Sequence, residues 1–507
     1  MDWRGSPLPE LARERRYLVL AICCLSLFAV GMDATIINVA LPAIGRDFRA
    51  QVSGLQWTID AYLLVIASLL MLSGSTGDRL GRRRVFQAGL AIFTLGSLAC
   101  SLAPGLGWLI AFRALQAVGG SMLNPVAMSI VTNTFTDPAE RARAIGLWGS
   151  VFGLSIALGP VIGGALVDSV GWRGVFWVNL PVGIAAIALT AVFVPESRAG
   201  TYRKPDPAGQ ALIMAALGAL SYAIIEGPGQ GWGSAPVAGC FAGAAAALAG
   251  FAAHERRRAQ PLIDLRFFRS LPFSGAAATA VAGMAAFAGF LFLITLYLQD
   301  VRGYRPLQAG LFLLPMALVI AASAPLAGRM MARSGPRLPL VIAGIGTTAG
   351  GVLFAFLTAS SPPWYVLAAC AVLGVGMGWV NAPITASAVA GMPRAQAGVA
   401  AGIASTSRQV GSSLGVAVTG SVLAAGLGGA LGGIATGSLG GGFTSAARPG
   451  WVIIAALGVV VLALALATTG PRGRASGARA AALISRAEQA AGPQGAPSGP
   501  AAPARAA

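Results

Sequence analysis

The sequence predicts an all-α polytopic membrane protein with about fourteen transmembrane helices. Three observations predict this class. Of the 507 residues, 56% are hydrophobic and only 10% are charged, and apolar runs of about 20 residues recur along the chain. Soluble domains carry about 25% charged residues, so the composition excludes a set of soluble domains, and it equally excludes fibrous, disordered and disulfide-stapled proteins.

The apolar runs give the individual helices. Each run is long enough to cross a hydrocarbon core of about 30 Å at a rise of about 1.5 Å per residue. The first run resembles a signal peptide, but it continues through Asp33 with no convincing cleavage site, so we treat it as the first helix. The predicted spans are 17–43, 54–74, 85–103, 106–132, 144–166, 175–195, 208–227, 235–253, 272–298, 307–327, 338–358, 364–390, 398–425 and 450–469.

The basic residues orient these spans. The net charge is +18, and the Lys and Arg residues lie mostly between the apolar runs. With the N-terminus in the cytoplasm, about 27 of them fall on the cytoplasmic side and about six on the other side. This bias predicts a multi-pass membrane protein with both termini in the cytoplasm. It also accounts for the charge without a nucleic-acid partner.

An internal repeat predicts two related halves. Gly74–Arg83 and Gly328–Arg337 align without gaps, with Ala332 in place of Asp78, but they follow the second and tenth spans. A duplicated six-helix unit would separate them by six spans, so a helical pair is inserted between the halves. We therefore predict five regions. They are a cytoplasmic tail (1–16), a six-helix half (17–200), the inserted pair (201–260), a second six-helix half (261–470) and a disordered cytoplasmic tail (471–507).

Three charged residues within the spans are candidates for function. Asp33 and Asp60 lie in the first two spans and Arg113 in the fourth, where a charged side chain costs roughly 2.5–3.5 kcal/mol on insertion scales. A buried carboxyl can bind and release a proton in the working pH range, whereas Arg113 stays charged and needs an acceptor: Asp33, Asp60, Gln116 or backbone carbonyls. The alternative is that these residues only brace neighbouring helices.

Several segments resemble motifs of one transporter family. Gly74–Arg83 resembles the loop 2–3 signature of the major facilitator superfamily. Four further segments are similar to motifs of its fourteen-helix drug:proton antiporter family: Asp33–Pro42, Arg113–Gly120, Gly159–Gly164 and the stretch from Trp172 to Gly183. The resemblance implies the major facilitator fold, alternating access and a role in proton coupling for Asp33 and Arg113. Asp60 resembles second-helix acids of some members.

The resemblance also implies two structural motifs. Asp78 would accept from Arg82 or lie against a helix N-terminus of the other half, forming a cytoplasmic gate; simple anchoring by the arginines is the alternative. Pro160 would kink the fifth helix, and its neighbouring glycines would pack closely, as a marker of antiport. The gate residues are Gly74, Asp78, Arg79, Gly81, Arg82 and Arg83; the antiporter motif comprises Gly159, Pro160, Gly163 and Gly164.

With this resemblance we predict proton-coupled efflux of lipophilic or amphipathic drugs or antibiotics across the bacterial cytoplasmic membrane, and no enzyme. No Walker segment for ATP is present, the five cysteines lie in apolar runs, and the single histidine, His254, is interpreted as a loop residue, so neither a metal nor a cofactor is expected. The expected partners are protons, small lipophilic or amphipathic substrates and the lipid bilayer, with the protein a monomer. Export of an endogenous metabolite is one alternative, and a non-transporting sensor or assembly protein is another.

The C-terminal half is expected to supply apolar walls for the substrate. Its tenth and thirteenth spans contain no acidic residue, so coupling should depend on the N-terminal half. The residues expected to line these walls are Phe287, Phe290, Phe292, Tyr297, Trp379 and Asn381.

Overall fold

The computed structural model describes residues 12–198, 206–258, 261–390, 392, 396–428 and 442–490. Within them, fourteen helices are long and apolar enough to cross a membrane. They are α1 (Arg13–Phe48), α2 (Val52–Leu80), α3 (Arg82–Ser101), α4 (Leu106–Thr134), α5 (Pro138–Val170), α6 (Gly174–Phe193), α7 (Pro207–Gln230), α8 (Ala235–Arg257), α9 (Leu271–Val301), α10 (Pro306–Ser334), α11 (Arg337–Ala355), α12 (Pro363–Val389), α13 (Ala397–Gly426) and α14 (Phe443–Thr468).

The fourteen predicted spans are confirmed, and several helices run past the apolar segments that predicted them. The fifth span begins six residues earlier than predicted, at Pro138, where the Asp137 side chain caps the helix by accepting from the Glu140 N–H. Hydrophobicity marks only the hydrocarbon core, whereas a bilayer with its headgroups is about 40–45 Å thick. The polar ends therefore continue as helix beyond the apolar run.

The packing has the symmetry that the repeat predicts. In the N-terminal half, α1 packs against α5, and α4 packs between α2 and α3; in the C-terminal half, the corresponding pairs are α9 with α13 and α12 with α10 and α11. Between the halves, α2 packs against α13 and α5 against α10, so the second helix of each half meets the fifth helix of the other. The predicted fold class, two six-helix halves with an inserted pair, is confirmed.

The inserted pair is not a loose linker. Its first helix, α7, packs against α2 of one half and α13 of the other, while α8 packs mainly against α7. Polar contacts hold α7 in place: the Ser421 hydroxyl donates to the Ile224 carbonyl, and the Gln210 amide donates to the Ser68 carbonyl. The pair therefore covers the seam between α2 and α13.

A break in α6 helps to position the functional site. The helix consists of Gly174–Trp177 and Asn179–Phe193, separated at Val178. Pro181 has no N–H to donate to the carbonyl four residues earlier, which weakens the helix at this point. Asn179 begins the second segment and lies buried against α1.

The prediction of a disordered tail from residue 471 is wrong for its first part. Pro471–Ala490 form a further helix, α15, which packs against α9. Ala480 and Ile484, four residues apart, share a helix face and are buried, and the Ser476 hydroxyl accepts from the Leu271 N–H. Alanine and arginine favour helix, which the low complexity of the segment concealed. Residues 491–507 lie outside the described residues.

Candidate functional site

Asp33 is the centre of a buried hydrogen-bond network between α1, α4 and α6. Its Oδ2 accepts from Arg113 Nη1 at 2.7 Å, and its Oδ1 accepts from Gln116 Nε2 at 2.9 Å and from Asn179 Nδ2 at 3.0 Å. The Asp33 and Arg113 side chains are each only 1% exposed. The carboxylate is therefore held by three donors from two other helices.

The surroundings of Arg113 also satisfy its positive charge. Nη1 donates to Gln116 Oε1 at 2.8 Å and Nε to the Thr58 carbonyl at 3.4 Å. The guanidinium carbon lies 4.1 Å from the centroid of the Tyr62 ring, within cation–π distance. Asp33, Gln116 and a backbone carbonyl are confirmed as partners, and the fourth candidate, Asp60, is not one of them.

Sequence reasoning missed two members of this network. Asn179 lies inside the stretch from Trp172 to Gly183 that resembles a family motif, and Tyr62 follows Asp60 by two residues, but neither was a candidate. A buried Asn at a proline-induced helix break is a signal that could have identified the first. The cation–π contact depends on the rotation of α2 against α4, which the sequence does not encode locally.

An apolar pocket lies between the two halves, and it reaches α1 at Thr35. It is lined by side chains of α1, α5, α9 and α10, and its only polar lining side chain is that of Thr35, two residues after Asp33 on α1. The lining residues are Thr35, Gly153, Ile156, Ala157, Pro160, Phe287, Leu291, Leu313, Met316, Ala317 and Ile320. Both halves thus contribute to this pocket, and its lining is apolar except for Thr35.

The antiporter motif joins α5 to α1 beside this pocket. Pro160 has no N–H for the Ile156 carbonyl four residues earlier. The Thr35 hydroxyl lies 3.4 Å from that carbonyl and 3.3 Å from the Met32 carbonyl, and its hydrogen is shared between the two. A Cβ added at Gly159 would lie 2.0 Å from Thr35 Oγ1, and one at Gly163 would lie 2.6 Å from Ile36 Cγ1. Only glycine permits this approach of the two helices.

The same motif closes one end of the molecule. A Cβ added at Gly164 would lie 2.5 Å from the Pro306 carbonyl oxygen, across the boundary between the halves. Nearby, Asp168 Oδ2 accepts from the Leu307 N–H at 3.1 Å, and Arg46 pairs with Asp300 at 3.2 Å. The halves therefore meet at the end where α1 and α5 finish and α10 begins.

Asp60 lies apart from the Asp33 network, at the seam between the halves. It is fully buried beside Ser221 of α7 and Ser413 of α13, whose hydroxyls are 3.4 Å apart. Neither of its oxygens accepts a well-formed hydrogen bond from the residues that the structure describes. The inserted pair thus contributes directly to the surroundings of this second acid.

The predicted gate motif is helical rather than a loop. α2 runs through Asp78 and Arg79 to Leu80, and α3 begins at Arg82, so Gly81 is the single connecting residue. Gly81 has φ +114°, a region that favours glycine. Gly74, at the start of the motif, lies farther back on α2, and a Cβ there would be in ordinary contact with Pro125, at 3.6 Å.

Asp78, Arg82 and Arg83 of the gate motif bind within the N-terminal half. Asp78 Oδ1 accepts from Arg82 Nη2 at 2.8 Å and Nε at 3.0 Å, as one of the two predicted alternatives requires. Glu196, just after α6, accepts from the Arg83 N–H at 3.2 Å. A Cβ added at Gly81 would lie 2.6 Å from Glu196 Oε1. Glu196 is therefore a further partner of this motif that the sequence analysis missed.

Most of the aromatic residues expected to line a substrate wall do not line the pocket. Of the six candidate residues, only Phe287 does so. Phe290 instead packs with Phe354 and Trp451 inside the C-terminal half, and the Tyr297 hydroxyl donates to the Thr358 carbonyl at 2.7 Å. Aromatic side chains at helical spacing fill the helix interfaces of this half.

Comparison with known proteins is consistent with this architecture. The family model described as Major Facilitator Superfamily matches residues 23–416. The chain is 40% identical over 407 residues to the multidrug resistance protein Stp of Mycobacterium tuberculosis (strain CDC 1551 / Oshkosh), covering 80% of this chain and 76% of that protein. It is 37% identical over 427 residues to the tetracenomycin C resistance and export protein of Streptomyces glaucescens, covering 83% and 77%.

A solved structure has the same fold. A bacterial homologue of the human lysosomal transporter Spinster, in an inward-facing and unoccupied conformation, is similar with a TM-score of 0.63. The similarity covers 93% of this chain and 99% of that chain at 18% sequence identity.

Proposed function

Because the chain belongs to the major facilitator superfamily, we propose that it exports lipophilic or amphipathic drugs or antibiotics in exchange for protons, by alternating access. The observation that carries the proposal is a buried Asp33–Arg113 pair on α1 and α4 together with an apolar pocket that α1 and both halves line. Relatives named for multidrug resistance and for antibiotic resistance and export support the substrate class. The lining favours apolar ligands over sugars or phosphates, which need several polar anchors.

In this proposal, the transported proton binds to the Asp33 carboxylate. When ionised, Asp33 holds Arg113, Gln116 and Asn179 and so ties α1 to α4 and α6. Protonation removes the charge that pairs with Arg113, which cannot lose its own proton. Among the described residues, Arg113 then retains Gln116, the Thr58 carbonyl and the Tyr62 and Phe176 rings. The cost of an unpaired buried charge drives the halves towards their other arrangement.

In this proposal, α1 couples substrate binding to the protonation of Asp33. Thr35 lines the pocket and lies two residues from Asp33 on the same helix, and it also holds α5 at Ile156. A ligand that enters the pocket therefore acts on the helix that carries the proton site, and one site can respond to the other.

The orientation follows from the basic residues. With both termini in the cytoplasm of a bacterial cell, the closed end at Gly164 and Pro306 faces outward. The structure then represents a state that is closed to the outside. The gate motif lies at the cytoplasmic end, where Gly81 and Glu196 hold the base of the N-terminal half.

A second candidate function is the export of an endogenous antibiotic or other metabolite. It is favoured by the similarity to a protein named for both resistance to and export of one antibiotic. The nature of the genes beside the coding gene distinguishes the two, because a biosynthetic cluster favours the endogenous product.

A drug-susceptibility panel tests the proposed function. The chain, its Asp33→Asn variant and an empty vector are expressed at equal levels in a host that lacks its own exporters. We expect higher inhibitory concentrations for several lipophilic drugs with the natural chain only. If no compound of a broad panel distinguishes the chain from the empty vector, drug export is wrong; a sensor that does not transport predicts this result.

A further inference from the structure

Three residues at the base of the inserted pair form a cluster that the transport mechanism does not use. Asp206 precedes α7 and caps it by accepting from the Gly209 N–H, while His254 and Glu255 lie in the last turn of α8. One ligand atom of each residue lies within 4.8 Å of the others. His254 is therefore not the loop residue predicted from the sequence but part of a side-chain cluster between two helices.

The two carboxyl groups have oxygens that receive no N–H or hydroxyl donor from the described residues. Asp206 and Glu255 are each only 3% exposed, and the two oxygens concerned are Asp206 Oδ2 and Glu255 Oε1. The two carboxyls face each other, and a proton on one of them joins it to the other. Both oxygens lie close to Gly209. A Cβ added at Gly209 would be 2.6 Å from Asp206 Oδ2 and 2.8 Å from Glu255 Oε1. A buried carboxylate oxygen that receives no such donor is costly, so this space favours a cation.

The remaining contacts hold these groups in position. Asp206 Oδ1 accepts from Gly209 N–H and from Arg258 Nη1, each at 3.0 Å, and Glu255 Oε2 accepts from the Ile263 N–H at 3.0 Å. Each carboxyl thus uses one oxygen to accept from N–H groups and turns the other towards the neighbouring carboxyl. Such outer contacts orient the ligands of metal sites.

The donor atoms of Asp206, Glu255 and His254 are those that a divalent transition-metal ion prefers. From these contacts we infer that Asp206 Oδ2, Glu255 Oε1 and His254 Nε2 bind a divalent transition-metal ion such as Zn²⁺. Zinc takes imidazole nitrogen and carboxylate oxygen at about 2.0–2.2 Å. His254 Nε2 now lies 3.0 Å from Asp206 Oδ1; as a ligand, the ring carries its proton on Nδ1. The His254 side chain is 31% exposed and gives the ion a route from solvent.

The site has a structural consequence for the inserted pair. Asp206 marks the start of α7, and Glu255 marks the end of α8 and binds the segment that leads to α9. An ion held by both residues ties the base of the pair together. This inference does not depend on the proposed substrate or on proton coupling.

Metal binding to the purified full-length chain tests the inference. The protein is prepared with a histidine-free tag, so that His254 is its single histidine, and it is titrated with Zn²⁺ by calorimetry and with Co²⁺ by absorption. We expect one ion per chain and a Co²⁺ spectrum without a thiolate band. Glu255→Gln, His254→Ala and Gly209→Ala should each weaken binding at least about tenfold, as loss of a ligand or of its space requires.

Matched controls separate this site from others. Glu226→Gln changes the acid at the far end of α7, which accepts from Trp57 Nε1, and Cys240→Ser removes the thiol of α8; both should bind Zn²⁺ as the natural chain does. If a variant fails to fold, the imidazole signal of His254 in the natural chain provides the readout, and it should shift with one equivalent of Zn²⁺. The inference is overturned if the natural chain does not bind Zn²⁺ or if the His254 signal does not shift with it. It is also overturned if Glu255→Gln and Gly209→Ala bind Zn²⁺ as tightly as the natural chain, or if Cys240→Ser loses Zn²⁺ binding.

Discussion

Replacement of Asp33 by Asn should abolish coupled transport, and the structure gives the size of the accompanying loss of stability. Arg113, Gln116 and Asn179 all point donors at the carboxylate. An Asn side chain offers a single carbonyl, so its amide group faces a donor in either orientation. Because Arg113 also loses its counter-charge in a site that is 1% exposed, we expect the free energy of unfolding to fall by about 3–5 kcal/mol.

A loss of activity in Asp33→Asn alone would not separate coupling from bracing. The double variant Asp33→Asn/Arg113→Gln removes both charges, and loss of a whole buried pair is far less costly than loss of one partner. We expect it to recover most of the stability but none of the coupling. Asp47→Asn, on the same helix, is the control: Asp47 pairs with Arg173 at 3.0 Å but is 45% exposed, so its loss should cost less than about 1 kcal/mol.

The assay measures stability and proton movement on the same preparations. Unfolding in detergent gives the free energies, and a pH-sensitive dye inside proteoliposomes reports proton movement when an exported drug from the panel is added. The reasoning fails if the double variant moves protons with the drug at the natural ratio, because Asp33 would then only brace the helices.

Three further predictions concern the gate, the second acid and the helix contact beside the pocket. Gly81→Val should slow transport while drug binding persists, because valine at φ +114° costs about 1–3 kcal/mol and its side chain clashes with Glu196. If this variant and Asp78→Ala both transport at the natural rate, the segment is only an anchor. Asp60→Asn should leave the free energy of unfolding unchanged or higher, since neither carboxylate oxygen has a well-formed hydrogen bond from the described residues. It should impair the export of cationic drugs only. If the export of every drug in the panel is lost, Asp60 belongs to the proton path. Thr35→Val should lower stability by about 1–3 kcal/mol through the unsatisfied Ile156 carbonyl, whereas Thr35→Ser, which keeps the donor, should retain it; equal unfolding free energies would refute that role.

The sequence was sufficient for the architecture. Apolar runs of membrane length report burial in lipid directly, so the spans and their number followed without tertiary information. The repeat at Gly74 and Gly328 indicated the two halves because a duplicated unit retains its turn residues. α15 was the exception, since its helical face depends on packing against α9.

Only part of the candidate site was predictable. Asp33 and Arg113 were identifiable because an intramembrane charge is costly wherever it points. Asn179 and Glu196 were not identifiable, because the contacts of Asn179 with Asp33 and of Glu196 with the gate motif join residues over a hundred positions apart. The cluster of Asp206, His254 and Glu255 was missed because the antiparallel pair α7 and α8 brings together residues 48 positions apart in the chain.

Dependence of efflux on the proton gradient tests the central claim most directly. The natural chain is reconstituted in proteoliposomes with an imposed pH gradient and a drug identified by the panel, and transport is followed with and without a protonophore and with and without ATP. The account predicts that the protonophore abolishes uphill drug movement and that ATP has no effect. Uphill transport that persists after the gradient has collapsed would contradict it.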